Sequence, residues 1–189
     1  FGAADAPGTV KTAAAAYYGN AAASSMAFYY PHIKVADPTT SGLTVTVSPE
    51  TMVAAARSKA IQASGSPFRA PAGLISGSSS YVKGVASSID KAAGDLLDGA
   101  WVNAMRTVGG QVRVYGARSV SSDDANWRFI TFQDMMNHVV VDAENRLEEF
   151  VFATIDSRGG LFGAIKSSMI AMLDPLRLSG ALYEAFDSE

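Results

Sequence analysis

Hydrophobic positions along residues 131–151 recur at steps of three and four, which is the most regular pattern in the chain. This spacing places apolar side chains on one face and predicts a long amphipathic helix. Thr131, followed three residues later by Asp134, resembles a capping box and predicts where the helix begins. The predicted apolar stripe consists of Phe132, Met135, Met136, Val139, Val140, Ala143, Leu147, Phe150 and Val151.

Helical and strand-like patterns alternate along the rest of the chain, which predicts an α/β fold. Helices are expected over 9–23, 49–64, 89–97 and 161–173, the last with Phe162, Ile165, Met169, Met172 and Leu173 inward and a stop or kink at Pro175. Strands are expected over 27–35, 101–108 and 111–120, and a loop or small hairpin over 39–48. Gly109 and Gly110 predict a tight hairpin turn. Pro31 lacks the amide donor and is expected at a sheet edge or bulge.

Residues 64–80 interrupt this pattern. They contain six Ser, three Gly and two Pro. Such a composition buries little apolar area, so it predicts a flexible loop unless another surface holds it.

Composition narrows the possible classes of function. The chain has 189 residues, of which 48% are hydrophobic, which is enough for one compact domain with a substantial core. It has no Cys and two His, so disulfide scaffolds, thiolate catalysis and multi-histidine metal centres are excluded. The net charge of −3 argues against direct nucleic-acid binding. No apolar run is long enough for a transmembrane helix. Both termini are abrupt, and we expect a fragment of a longer protein.

Charge is unevenly distributed. Residues 132–150 hold five acidic residues and one Arg, a net charge of −4, whereas residues 57–128 hold nine basic and five acidic residues, a net charge of +4. Separated charges of this kind favour pairing between copies, although they are equally typical of solvated surfaces.

Candidate catalytic residues are few. His138 has Asp134 and Asp142 at helical spacing, so it could act as a base with an orienting carboxylate in a small hydrolase. Three polar residues on the outer face of a helix are usually only a solvated surface, and His32 lies in a strand where a packed ring is more common. Neither a Gly-x-Ser-x-Gly elbow nor a phosphate-binding Gly-x-x-x-x-Gly-Lys loop occurs. The sequence therefore favours a protein that is not an enzyme and has no cofactor.

Residues 111–129 carry the most specific motif, Gln-Val-Arg-Val-Tyr-Gly-Ala-Arg-Ser-Val-Ser-Ser-Asp-Asp-Ala-Asn-Trp-Arg-Phe. This run resembles the contractile-tail sheath proteins of bacteriophages and related injection machines, which have Val-Trp-Gly-Ala-Arg-Thr-Leu, Ser-Ser-Asp and a Trp-Arg-aromatic step into a long helix. Further similar strings follow the family order: Tyr-Tyr-Pro at 29–31, Ala-Arg at 56–57, Ala-Pro-Ala at 70–72, Val-Asn-Ala-Met-Arg at 102–106 and Gly-Ala-Leu at 180–182. At 131–134, Thr-Phe-Gln-Asp replaces the family's Asn-Val-Arg-Arg, so contacts of that basic pair do not transfer.

The resemblance implies the C-terminal core domain of a sheath subunit: residues 1–189 as a single domain, a two-layer sandwich of a small mixed sheet packed with helices. Its implied partners are other copies in a helical sheath, the tail tube protein, and baseplate and tail terminator proteins, with no membrane insertion. Family subunits also have terminal arms that add strands to neighbours. The implied location is the virion's contractile tail, assembled in the host cytoplasm, and a phage-like bacterial injection system is the alternative.

Residue roles follow from this resemblance and from the charges. Arg118, Trp127 and Arg128 are expected to form a junction that defines the fold. Inter-subunit contacts are expected between acidic and basic side chains: Asp142, Glu144, Glu148 and Glu149 against Arg69, Lys83 and Lys91. Lys166 and Arg177 on the last helix are expected to face the tube.

Overall fold

A computed structural model describes residues 1–3, 5–123, 126–155 and 158–182. The chain divides into two compact units, Phe1–Gln133 and Asp134–Glu189. We call these the first unit and the second unit. The prediction of a single domain over 1–189 stays a prediction.

Five α-helices and six strands account for most of the described residues. In chain order they are α1 Pro7–Ala15, β1 Phe28–Tyr30, β2 Ile33–Ala36, β3 Thr44–Val47, α2 Glu50–Ser64, β4 Val82–Val85, α3 Lys91–Asp98, β5 Val102–Val108, β6 Gln111–Tyr115, α4 Ile130–Leu147 and α5 Gly160–Leu178. Short 3₁₀ turns cover Ala23–Ser25 and Glu148–Phe150. None of the helices in the described part of the chain combines the length and apolarity of a membrane span.

The strands form two three-stranded sheets, ordered β1-β5-β6 and β3-β2-β4. The first is mixed, because β1 runs parallel to β5 while β6 runs antiparallel to it. The second is antiparallel throughout. The predicted α/β class is confirmed, and the small sheet expected from the sequence is in fact two sheets.

The single strand predicted over 27–35 is wrong, because the chain changes sheets at Pro31. Residues before Pro31 form β1 and residues after His32 form β2. Proline cannot donate a ladder hydrogen bond, so a strand that reaches it is interrupted there.

Two apolar clusters lie on opposite faces of the β1-β5-β6 sheet, because successive side chains of β5 alternate between faces. One cluster joins this sheet to α1 and α3 and comprises Val10, Ala14, Tyr30, Ile89, Leu97, Ala100, Val102 and Ala104. The other joins it to the second sheet and α2 and comprises Ile33, Met52, Val53, Ala56, Val82, Met105, Val112 and Val114. The first unit therefore has three layers. Helices α1 and α3 form the first, the β1-β5-β6 sheet forms the second, and the β3-β2-β4 sheet with α2 forms the third.

Local sequence signals placed α2 and the β5–β6 hairpin correctly. Pro49 precedes α2, and Gly65 ends it in the left-handed conformation at φ 76°. Gly109 and Gly110 have φ 60° and 77° in the turn between β5 and β6. The hairpin that was one of two possibilities for 39–48 does not lie within that range, because β3 pairs with β2 at Ile33–Ala36.

Three predicted boundaries are wrong. α1 ends at Ala15, where the bond from the amide of Tyr17 to the carbonyl of Ala14 begins a turn. β6 ends at Tyr115 instead of residue 120. α5 continues through Pro175 to Leu178, and the amide of Ser179 bonds to the Pro175 carbonyl at 3.0 Å.

The long helix α4 was predicted correctly, but its start and its burial differ. It begins at Ile130, so Thr131 lies inside the first turn and is not the cap. Met135 is buried, whereas Phe132 is 48% exposed and Met136 and Val140 are also exposed. Of the nine residues in the apolar stripe, four are exposed, namely Phe132, Met136, Val140 and Val151.

The helix α5 shows the same difference between the predicted and the observed burial. Met172 is buried, whereas Phe162, which was predicted inward, is exposed. Ile61 on α2 is likewise exposed rather than packed. Periodicity identified the apolar faces but overestimated how far they are covered.

Residues 64–80 contact β6 through backbone hydrogen bonds. The Gly73 amide donates to the Val114 carbonyl at 2.9 Å, and the Val114 amide donates to the Gly77 carbonyl at 2.8 Å. Lys59 Nζ on α2 donates to the Ser78 carbonyl at 2.8 Å. The flexibility predicted for this loop stays a prediction.

Candidate functional site

The residues of the most specific motif form the junction between β6 and α4. Arg118 pairs with Phe129 in an antiparallel bridge. The Ser119 amide donates to the Arg128 carbonyl at 2.9 Å, and the Ser119 hydroxyl donates to the Trp127 carbonyl. The structure therefore brings Arg118, Trp127 and Arg128 together through their backbones, and each of the three side chains is half-buried.

Asn103, the second residue of the central strand β5, connects this junction to the sheet. Its side-chain amide donates to the carbonyls of Phe28 at 3.0 Å and Arg118 at 2.9 Å. Its Oδ1 accepts the Arg118 amide at 2.7 Å. Since Asn103 is 3% exposed, these three bonds satisfy a polar side chain that would otherwise be costly to bury.

The position of Asn103 also explains why residue 116 of the motif is a glycine. A Cβ placed on Gly116 would lie 2.5 Å from Oδ1 of Asn103, closer than non-bonded atoms approach. Both residues lie in strings that resemble the sheath family, but neither had a predicted role. An Asn inside the apolar run 102–105 was the available signal, because a buried amide must find partners.

Arg118 also makes an ion pair beside this junction. Its Nε lies 3.1 Å from Oδ1 of Asp98 at the end of α3, with side-chain exposures of 23% and 63%. A pair this open to solvent contributes about 0–1 kcal/mol. Its effect is mainly to orient the arginine.

The acidic residues predicted to contact other copies lie on α4 and the 3₁₀ turn after it. Asp142 lies 3.6 Å from Nε of Arg146. Glu144, Glu148 and Glu149 are exposed, and within the described ranges they have no ion pair. These three carboxylates are open to an external partner, and their role in inter-subunit contact stays a prediction.

The basic residues predicted to oppose them lie on three separate elements of the first unit. Arg69 is half-buried in the 64–80 loop, and Lys83 is exposed on β4. Lys91, at the start of α3, pairs with Asp95 at 2.7 Å. Nothing in the structure tests whether they contact another copy.

The two residues predicted to face the tube lie on α5. Lys166 is exposed, and Arg177 lies 3.4 Å from Oδ1 of Asp174 in the last turn. Their orientation toward a tube stays a prediction.

Apolar side chains form much of the exposed surface of the second unit. Phe152 is 99% exposed, and Val151 and Ile155 beside it are also open to solvent. Met136 and Val140 of α4 and Phe162 of α5 are further exposed apolar side chains. Such surfaces mark sites of contact with another protein or a ligand.

The residues considered for catalysis, Asp134, His138 and Asp142, lie on α4. His138 is exposed on α4, and Asp142, half-buried on the same helix, lies beside Arg146. Among residues whose placement is described, no group of three or more His, Asp or Glu could hold a metal ion.

His32 faces a cavity of about 500 Å³ in the first unit. The rings of Phe1 and Tyr17 meet Phe28 edge-on in its wall, with centroid distances of 5.3 and 5.2 Å. Nδ1 of His32 is buried with no hydrogen-bond partner among the described residues. Aromatic residues make up much of the lining, which also includes Ser48 and Glu50.

Several solved structures share the fold of this chain. No family model and no curated protein matches the chain. A chain of the anti-feeding prophage (AFP) helical sheath in the contracted state matches with 20% identity and a TM-score of 0.70, over 89% of this chain and 45% of that one. A chain of the contracted PVC sheath complex, from an extracellular contractile injection system, matches with 19% identity and a TM-score of 0.69, over 86% and 43%. A chain of the 6-fold symmetrised AFP baseplate matches with 21% identity and a TM-score of 0.73, over 86% and 42%.

These matches show a shared fold. The predicted resemblance to contractile sheath proteins is therefore confirmed at the level of the fold. The chain spans less than half the length of the solved chains that it matches.

Proposed function

We propose that this chain is the core domain of a contractile sheath subunit, and that many copies polymerise around an inner tube. The observation that carries this proposal is the match of 86–89% of the chain to chains of contracted sheath complexes. The collinear motifs at 29–31, 102–106 and 111–129 support it independently, because they come from the residues and not from the fold.

The exposed apolar surface of the second unit also supports polymerisation. Of its described residues, only Met135 and Met172 are buried hydrophobics. An isolated protein leaves such a surface exposed at a cost of about 25 cal/mol for each Å² that contact would cover. Burial between copies therefore supplies the free energy that holds a lattice together.

Contraction in this proposal is a change of contacts between rigid subunits. Copies stack in an extended, metastable lattice and repack into a shorter, wider one after a trigger at the baseplate. Packed domains move as rigid bodies when their interfaces, not their interiors, have two stable arrangements. The two apolar clusters and the Asn103 hydrogen bonds keep the first unit rigid. The free energy of repacking then drives the tube through the target envelope.

The source of the sheath is a second part of the proposal. A bacteriophage tail, with the chain located in a virion assembled in the host cytoplasm and acting in genome ejection, is the reading that the motif resemblance favours. The solved chains belong to the anti-feeding prophage and to an extracellular contractile injection system, which favours a phage-like injection device. Tail tube, baseplate and terminator proteins are the proposed partners in both cases.

A non-enzymatic role is part of the same proposal. His138 lies on an open helix face, which disfavours the hydrolase alternative because catalysis needs a site that excludes water and orients the base. The expected result is that His138→Ala leaves assembly unchanged and abolishes no hydrolytic activity. Loss of a measurable activity in that variant would favour the hydrolase.

Electron microscopy of the protein that contains this chain tests the proposal. We expect hollow cylinders of contracted-sheath width. The variant Glu148→Lys/Glu149→Lys is expected to assemble poorly while its circular dichroism stays unchanged, because it reverses two exposed charges. A wild-type protein that stays monomeric under all assembly conditions would refute the proposed function, and normal cylinders from the variant would refute the contact assignment.

A further inference from the structure

Two arginines lie directly opposite each other on the β5–β6 hairpin. Arg106 and Arg113 are register partners in this antiparallel pair, so their side chains share one face of the sheet. Directly opposed residues have Cβ atoms about 4.5–5.5 Å apart, and like charges there are destabilising. A pair of this kind is stabilised when an anion binds both guanidinium groups.

Arg106 and Arg113 are both half-buried on the hairpin. The Arg106 guanidinium lies over the Tyr115 ring, 5.1 Å from its centroid. Nη2 of Arg113 lies beside the hairpin turn, 3.6 Å from where a Cβ on Gly109 would stand. The buried Nε of Arg113 has no hydrogen-bond partner among the described residues.

Nearby carboxylates are already paired with other cations. Asp95 and Asp98 line a cleft of about 210 Å³ together with Arg106 and Tyr115. Asp95 pairs with Lys91 at 2.7 Å, and Asp98 pairs with Arg118 at 3.1 Å. Within the part of the chain that the structure describes, neither Arg106 nor Arg113 has an ion pair.

We propose that Arg106 and Arg113 together bind the carboxylates of Glu144, Glu148 and Glu149 of a second copy of this chain. These glutamates are exposed and have no ion pair among the described residues, and residues 132–150 carry a net charge of −4. Arginine forks bind carboxylates in a bidentate manner, so two adjacent forks suit a run of glutamates better than single lysines do. This inference rests on the proposed self-assembly and names the residues that direct it.

A charge-swap experiment tests the proposal in the protein that contains this chain. Arg106→Glu/Arg113→Glu and Glu148→Lys/Glu149→Lys are each expected to weaken self-association about tenfold or more at low salt. An equimolar mixture of the two variants is expected to assemble, since each reversed surface then meets its complement. The four substitutions combined in one chain are expected to restore assembly for the same reason.

Controls separate this contact from general charge effects and from misfolding. Lys11→Glu/Arg158→Glu changes the net charge by the same amount as Arg106→Glu/Arg113→Glu, at two exposed positions. It is expected to leave self-association within about twofold of wild type. Arg106→Gln/Arg113→Gln gives a neutral version if the glutamate version fails to fold, and it is expected to weaken assembly without restoration by the lysine variant.

The outcomes distinguish this inference from the proposed function. If the wild-type protein does not assemble, the proposed function fails and this contact fails with it. If the wild type assembles and the arginine variants assemble equally well, the contact alone is wrong. Weakened variants that neither mixing nor combination restores also overturn it, because they would show a nonspecific effect of charge.

Discussion

Replacing Asn103 by Ala is expected to destabilise the first unit strongly. The substitution leaves the carbonyls of Phe28 and Arg118 and the amide of Arg118 without the side-chain partner that each has in the structure. A buried polar group left unsatisfied costs about 1–3 kcal/mol, so three groups at the lower figure give about 3 kcal/mol.

Urea unfolding followed by tryptophan fluorescence measures this effect selectively. The chain has two Trp, at positions 101 and 127, and both lie in the first unit. With an m-value of about 2 kcal/mol per M, a loss of about 3 kcal/mol lowers the urea midpoint by about 1.5 M. The variant Asn103→Asp is expected to be at least as unstable as Asn103→Ala, because a carboxylate cannot donate to two carbonyls.

Asn145→Ala on α4 is the matched control, since Asn145 is exposed. Its midpoint, followed by circular dichroism, is expected to change by less than the equivalent of about 0.5 kcal/mol. The reasoning is refuted if Asn103→Ala changes the midpoint by no more than this control does.

Two further predictions concern the glycine of the motif and the loop after β2. Gly116→Ala places a Cβ 2.5 Å from Oδ1 of Asn103 and is expected to cost about 1–3 kcal/mol, the usual penalty of overpacking, in the same urea assay. Hydrogen bonds from the hydroxyl and amide of Thr39 lower the pKa of Asp37. Because this pKa is lower in the folded than in the unfolded state, its stabilisation is complete above the unfolded value and is lost as the pH falls through the folded value. An NMR titration is expected to show the low pKa, and Thr39→Val is expected to raise it.

Each of these two predictions can be refuted by one result. A fully stable Gly116→Ala protein would show that Asn103 can move without cost. Thr40→Val is the control for the titration, because Thr40 acts on Asp37 through its backbone amide. An equal rise of the Asp37 pKa in Thr39→Val and Thr40→Val would refute the assigned role of the Thr39 hydroxyl.

Elements with local signals could be predicted from the sequence. The boundaries of α2 depend on Pro49 and Gly65, and the β5–β6 turn depends on two glycines with positive φ. The ends of α2 and the shape of the β5–β6 turn are therefore determined by residues in or next to them. The sheet change at Pro31 depends instead on which strands pair across the fold, and a period-two pattern contains no such information.

The candidate assembly surfaces were only partly predictable. The stripe of α4 and the acidic residues follow from periodicity and composition, but periodicity cannot say whether an apolar face is covered by its own chain. Phe132 and Phe162 both lie on predicted apolar faces, and both are exposed. The pairing of Arg106 with Arg113 requires the register of the hairpin, which the turn glycines predict only when the turn is known to have two residues.

The loop over β6 protects part of one sheet edge. Residues 73 and 77 occupy both backbone groups of Val114, so at this position the edge offers no free donor or acceptor to an added strand. Unprotected edges promote amyloid-like fibres when concentration is high. A substitution that loosened this loop would therefore increase the risk of fibre formation during overexpression.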